Sequence, residues 1–170
     1  MDCSRNIFAL HVHVHGGSSH NKGTLTVANK LSSDQDIWDA LHSARNVLRA
    51  LDGNVVRAHG GTIGALSFFR AGVAPAWEDA SVADGTILKV ALPAQAIVQA
   101  FENTVLLLNA PVKHAGSLVG TRAVKSRAGE FRIELWSERR VSEVASFSAF
   151  IAESCGVTAL NASVQHIRAD

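Results

Sequence analysis

Hydrophobic and polar positions alternate strictly through residues 7 to 15, IFALHVHVH. Phe8, Leu10, Val12 and Val14 share one face, and Ala9, His11, His13 and His15 the other, which is the period of a half-buried strand. GGSSHNKG (16–23) is turn chemistry and TLTVANKL (24–31) reads as a second strand, so the two form a hairpin. The period then changes. Over residues 32–51, Ile37, Leu41, Ala44, Leu48 and Leu51 recur at helical spacing, and Ser32 with Gln35, or Ser33 with Asp36, supplies a capping box. Trp38 lies about 100° round the helix from Ile37, beside the stripe and toward the outer surface.

Residues 52–64 read as a loop with a short strand, and strands are expected at 65–70 and 85–92, separated by the loop AGVAPAWEDASVADG. Pro93 opens a second helix in which Ile97, Phe101, Thr104, Val105 and Leu108 share a face. Residues 117–126 and 130–137 form a hairpin turning at Arg127-Ala128-Gly129. Its second arm sets Phe131, Ile133 and Leu135 on one face and Arg132, Glu134 and Trp136 on the other. A third helix over about 142–155 buries Val144, Phe147, Ile151 and Cys155, and a last strand follows near 158–167. Strands with adjacent hairpins and three helices predict an α+β fold, a curved, mostly antiparallel sheet with its helices on one face. The other face, carrying Arg132 and Trp136, is left for a ligand.

Composition narrows the function. A chain of 170 residues, 47% hydrophobic, fits one domain spanning 1–170. Its formal net charge of +1 argues against coating a nucleic acid through its phosphates, so any nucleic-acid role is local, at one nucleotide or one terminus. Cys3 and Cys155 are far apart and show no C-x-x-C spacing, which argues against a disulfide framework and a thiolate zinc site. The start, MDCSRNIFAL, does not read as a signal peptide. No stretch approaches the ~18 apolar residues of a membrane span. The expectation is a soluble, cytoplasmic protein.

Chemistry concentrates in three places. In Pro75-Ala76-Trp77-Glu78-Asp79, a loop Trp stands beside a carboxylate that can accept two hydrogen bonds. Guanine offers two adjacent donors, N1–H and the exocyclic amine. Methylation at N7 makes its ring cationic, and stacking on an indole then gains a cation–π contact of ~2 kcal/mol when desolvated. The bland explanation is that Trp77 caps the core edge and Glu78 faces water. Arg127, Arg132 and Trp136 form the second group, arginines beside an aromatic, which suits phosphates attached to a stacked base. A solvated strand face explains them too. His11, His13 and His15, with His20, have the alternation of a zinc strand, but no cysteine or carboxylate accompanies them and no metal site is assigned. HGGTIG (59–64) has the form of an oxyanion-hole segment, yet no G-x-S-x-G elbow accompanies it. An enzyme is not expected, and no cofactor is required.

Ser67-Phe-Phe-Arg-Ala-Gly-Val-Ala-Pro-Ala-Trp-Glu-Asp79 resembles the segment of the eukaryotic translation initiation factor 4E family in which a loop carries a cap-stacking Trp. Asp36-Ile37-Trp38 is similar to the family's D-F-W, and Arg127 to Trp136, ending R-I-E-L-W, to its basic-I-x-[Ile/Leu]-W strand. The resemblance runs from about Phe8 to Ile167, and the unusual substitutions resemble those of divergent paralogues of protozoan parasites. It implies a curved antiparallel sheet backed by three helices on its convex face, and a 7-methylguanosine cap of messenger RNA as ligand. Trp77 would stack on the base, Glu78 accept from N1 and N2, Trp136 contact the N7-methyl, and Arg127 and Arg132 hold the phosphates. Trp38 would face a 4G-type scaffold or 4E-binding protein on the convex side, the chain being otherwise monomeric.

The chain departs from the family in one important respect. The first stacking Trp, expected after the first strand, has no counterpart among His15 to Lys22. His20 is the candidate substitute, and it must be neutral to stack on a cationic base; otherwise the base is held from one side or another loop supplies the missing face. The acid and apolar contacts expected near Phe101, Glu102 and Asn103 are imperfect. A second reading therefore keeps the fold and drops the ligand, leaving a scaffold or translational repressor that acts through Trp38.

Overall fold

The computed structural model describes residues 7–15, 23–51, 57–58, 61–76, 78–109, 117–126, 128–139, 149, 152–153 and 161–167. In chain order the elements are β1 (Phe8–His15), β2 (Gly23–Leu31), α1 (Asp34–Leu51), β3 (Arg57–Ala58), β4 (Gly61–Arg70), β5 (Thr86–Leu92), α2 (Ile97–Asn109), β6 (Leu118–Lys125), β7 (Phe131–Ser137) and β8 (Asn161–His166). The strands form a curved sheet in the order β2-β1-β4-β6-β7-β5-β8, with β3 paired to β4. Every pairing is antiparallel.

The expected fold class is observed, with differences of extent. β4 begins at Gly61 rather than 65, because β1 continues to His15 and offers a ladder partner as far as Thr62. The segment with the oxyanion-hole form thus ends as strand, not as a loop. Pro93 is followed by a single 3₁₀ turn, Ala94–Ala96, before α2 proper. Of the third helix expected over 142–155, Ala149 and Ala152–Glu153 are helical and the rest lies outside the described residues. Two helices, not three, are described in full.

At the start of α1 the choice between two capping boxes is settled. Ser33 Oγ accepts the Asp36 N–H at 3.1 Å and the Asp36 carboxylate accepts the Ser33 N–H at 3.2 Å. Gln35 instead donates to Asp39 at 2.8 Å. The helical stripe of Ile37, Leu41, Ala44 and Leu48 is buried against the sheet together with Ile97, Phe101 and Val105 of α2. Each large apolar side chain so buried contributes about 1.5–3 kcal/mol. Thr104 lies in the same core. Its hydroxyl donates to the Phe101 carbonyl at 2.9 Å, so Thr121 Oγ1, 2.8 Å away, donates to it. The helices run antiparallel and are tied by polar pairs: Asn109 Nδ2 donates to Asp34 Oδ1 at 3.0 Å, and Arg45 Nε to Glu102 Oε1 at 2.5 Å.

The face away from the helices has its own small cluster of Phe69, Val73, Val82, Ile87, Val119, Trp136 and Ile167. Phe69 meets Trp136 edge-on, centroids 5.5 Å apart at 70°. Gly120 is the register partner of both residues. A Cβ there would fall 2.4 Å from the Phe69 ring, so the missing side chain is what lets the ring lie across the strand. Gly120→Ala should therefore expel Phe69 and cost about 1–3 kcal/mol of stability, the usual range for overpacking. Urea unfolding reads the cost and near-ultraviolet circular dichroism the lost ring pair. Unchanged values in both would contradict this account of the glycine.

Candidate functional site

The loop between β4 and β5 owes its shape to one carboxylate. Asp79 Oδ2 accepts the Ala74 N–H and Oδ1 the Ser81 N–H, both at 2.8 Å. The second bond caps the 3₁₀ turn Ala80–Val82. Val73 and Val82, on either side of this knot, are buried in the cluster that holds Trp136. Glu78 is exposed and, among the described residues, accepts no hydrogen bond. Trp77, next to it, lies outside the described residues, as do Arg127 and His20.

On β7 the parity expected of Arg132, Glu134 and Trp136 holds, but Trp136 is only 3% exposed. Its indole N–H donates to Glu134 Oε2 at 3.3 Å. Arg132 donates to Glu134 Oε1 from Nε at 2.8 Å, and its Nη2 lies 2.7 Å from the same oxygen. A further cation joins from β6, where Arg122 is the register partner of Glu134 and its Nη1 stands 4.0 Å from Oε2. Burial pushes the Arg122 guanidinium below its ordinary value; Glu134 opposes that shift incompletely, and Arg132 adds to it. Glu134 and Arg122 were not among the candidates drawn from sequence. The signal that identifies them is the register of β6 against β7, which no motif spacing carries.

The histidine strand divides similarly. His11 and His13 are half-buried on β1, and burial holds His11 below its ordinary value. Among the described residues, no three His, Cys, Asp or Glu side chains gather in a way that would hold a metal ion. Nor, among them, is any helix long and apolar enough to cross a membrane.

On the convex side, Trp38 is 47% exposed and Leu106 39%. With Asp34, Ile37 and Asn109 they line a groove of about 250 Å³ between α1 and α2. Glu102 is buried and paired with Arg45, Phe101 is core, and Asn103 accepts from Gln99 at 2.8 Å.

No protein-family model matches the chain, and no curated protein does. Among solved structures it is similar to Ascaris suum eIF4E-3 in complex with m7G cap, at 14% identity and TM-score 0.73, covering 98% of this chain and 91% of that one. C. elegans eIF4E-3 in complex with the 4E-binding protein Mextli matches at 14% identity and TM-score 0.72, over 98% and 93%. A schistosome eIF4E complexed with m7GpppA and 4E-BP matches at 15% and 0.71, over 96% and 86%. The chain has the fold of the eIF4E proteins, on a strongly diverged sequence.

Asp79 yields a test of the loop. Burial acts to raise its carboxyl, but the Ala74 and Ser81 N–H groups outweigh that and hold it below the ordinary value. A depressed folded value contributes stability that is complete above the unfolded value of about 3.9 and disappears as pH falls through the folded one. Asp79→Asn keeps one acceptor and loses the other, at a cost of about 1 kcal/mol near neutrality. Below about pH 3.9 the variant and the parent should converge. Urea unfolding across pH 2–7 reads both, and an equal gap at every pH would contradict the assignment.

Proposed function

We propose that the chain is a divergent eIF4E-type protein that binds the 7-methylguanosine cap of messenger RNA, in translation initiation or its regulation. The observation that carries this reading is the shared cluster: Val73 and Val82 of the Glu78 loop pack with Trp136, beside Arg132 and Arg122. The loop that exposes Glu78 is thus anchored, through Val73 and Val82, on the face that carries the guanidinium groups.

Each group then has a chemical task. Glu78 accepts from guanine N1–H and the exocyclic amine. Trp77 stacks on the cationic base, where a 7-methylated ring is favoured over guanine itself. Arg132 and Arg127 hold phosphate oxygens. Trp136, its indole N–H already donated to Glu134, contacts the N7-methyl. The second face of the stack falls to His20 or to a neighbouring loop. All of this is recognition, so no bond is made or broken and no cofactor is needed.

Titration with 7-methyl-GTP and GTP tests it. The parent should prefer the methylated nucleotide, and Glu78→Ala should weaken binding at least about 10-fold, the loss expected for hydrogen bonds to a charged group. Trp77→Ala should remove the preference for the methyl group. Equal affinity for the two nucleotides in the parent would overturn the reading.

The alternative, a protein-interaction scaffold with weak or no cap binding, is favoured by the near-complete burial of Trp136 and the exposed pair Trp38 and Leu106. The groove beside them suits the apolar side of an amphipathic helix from a 4G-type scaffold or 4E-binding protein. Trp38→Ala should reduce affinity for a 4E-binding-protein peptide by about 2 kcal/mol, roughly 30-fold, while 7-methyl-GTP binding stays at the parent level. Peptide binding without any nucleotide binding in the parent selects the scaffold.

A further inference from the structure

Trp38 shares its side of α1 with a cation. Arg45 follows it by seven residues, two turns and about 10 Å further on, and lies only about 20° away round the helix. On α2, Glu102 precedes Leu106 by four residues and lies about 40° from it. The helices run antiparallel, so the groove at Trp38 and Leu106 leads along one seam to the Arg45–Glu102 pair. A partner helix has the same rise per residue. One seated on Trp38 and continuing for two turns along α1 therefore lies over that pair.

The described acids of the two helices differ in what they need. Asp34, Asp36 and Asp39 are exposed, and each accepts from a neutral group: Asn109 Nδ2 at 3.0 Å, the Ser33 N–H at 3.2 Å and Gln35 Nε2 at 2.8 Å. Water solvates the charge that those donors leave. Glu102 is buried, its side chain 9% exposed. Both its oxygens face Arg45, Oε1 taking the Nε donor at 2.5 Å and Oε2 the Nη2 donor at 3.4 Å. A carboxylate removed from water requires a cation, and loss of that cation leaves a buried charge unmet. Arg45 meets the need from within the chain. Its own side chain, 39% exposed, stands between the acid and solvent.

We propose that Arg45 sets the charge preference of the convex surface. By holding Glu102 it takes the place of a basic side chain on the partner, and the surface admits amphipathic helices that are uncharged where they cross the pair. The assignment deepens the partner-binding reading of the Trp38 groove and rests on it for the helix itself. A lysine or arginine brought to this point meets the Arg45 guanidinium before it meets Glu102. It gains no pairing and faces a like charge. Without Arg45, the same lysine finds a buried carboxylate that lacks a counter-ion, where pairing is far stronger than between exposed groups. One residue of α1, two turns from the apolar anchor, thus decides which class of helix is accepted.

The test titrates a 4E-binding-protein peptide into the parent, Arg45→Gln and Arg45→Gln/Glu102→Gln. The peptide is made with alanine, or with a single lysine, seven residues before or after the apolar side chain that seats between Trp38 and Leu106. In the parent, neither lysine should change affinity by more than about 5-fold, the ceiling for an exposed pair. In Arg45→Gln, at least one lysine should gain about 10-fold or more over alanine, and the gain should shrink with added salt. The double variant should lose that gain, because the acid has gone. A parent that already shows the gain, a folded Arg45→Gln protein that lacks it, or a double variant that keeps it overturns the proposal. If Arg45→Gln does not fold, Glu102→Gln decides. With Arg45 released, the lysine lying over it should bind more weakly than alanine, and parent-like values at both positions overturn the proposal. Should the parent bind no form of the peptide, the partner reading fails separately. Binding of a lysine form by Arg45→Gln then supports the masking of Glu102, and no binding removes it.

Discussion

Glu134 lies in β7, an interior strand between β6 and β5, with its side chain almost wholly removed from water. A lone carboxylate there would cost several kcal/mol, so its surroundings must supply donors. Arg132 supplies them two residues before it on the same face, and the indole N–H of Trp136 two residues after it. The second bond fixes the Trp136 ring, which then needs an aromatic edge and finds Phe69. Phe69 can reach it only because Gly120 has no side chain. The resulting cluster takes up Val73 and Val82, which docks the loop between β4 and β5, and Asp79 closes that loop from within. Anchoring of the loop that exposes Glu78 is the last link in a sequence of requirements that begins with a buried charge.

Much of the frame was legible because it depends on local period. Alternation placed β1 and the second arm of the β6–β7 hairpin, and the helical stripe located α1 and the outward setting of Trp38. The start of α1 was ambiguous for a simple reason: Ser32–Gln35 and Ser33–Asp36 both satisfy the spacing, and only the hydrogen bonds separate them. β4 was read four residues short because Gly61, Thr62 and Gly64 look like loop chemistry, whereas the partner strand β1 decides where pairing begins. Parity set Trp136 correctly on the face with Arg132, but its burial depends on Gly120 and Phe69, which reach it through tertiary register. Arg122 and Glu134 were illegible for the same reason. Each is an ordinary charged strand residue until β6 is laid against β7. Trp77 and Arg127 carry the resemblance, His20 stands where the chain departs from it, and all three lie outside the described residues, so the stacking geometry rests on sequence alone.

The two surfaces are built back to back. β7 sends Phe131, Ile133 and Leu135 into the core beneath the helices and Arg132, Glu134 and Trp136 to the open face. The helical surface is set by the polar ties between α1 and α2, and these ties also decide what that surface can recognise. Arg45 consumes Glu102, so this buried acid is not offered to a partner's basic side chain. Asp34, at the other end of the groove, already accepts from Asn109. What stands out from the surface is apolar, Trp38 and Leu106. A helix docking there gains chiefly by covering that area, at about 25 cal/mol per Å², and little by charge. Discrimination among partners must then come from how well an apolar side chain fits between Trp38 and Leu106, a matter of shape that ionic strength leaves largely untouched. On the open face, if an anionic nucleotide binds there as proposed, Arg122 and Arg132 around the single Glu134 would make ionic strength the dominant variable. Under the proposed function, one sheet would carry two recognition surfaces that respond to opposite physical conditions.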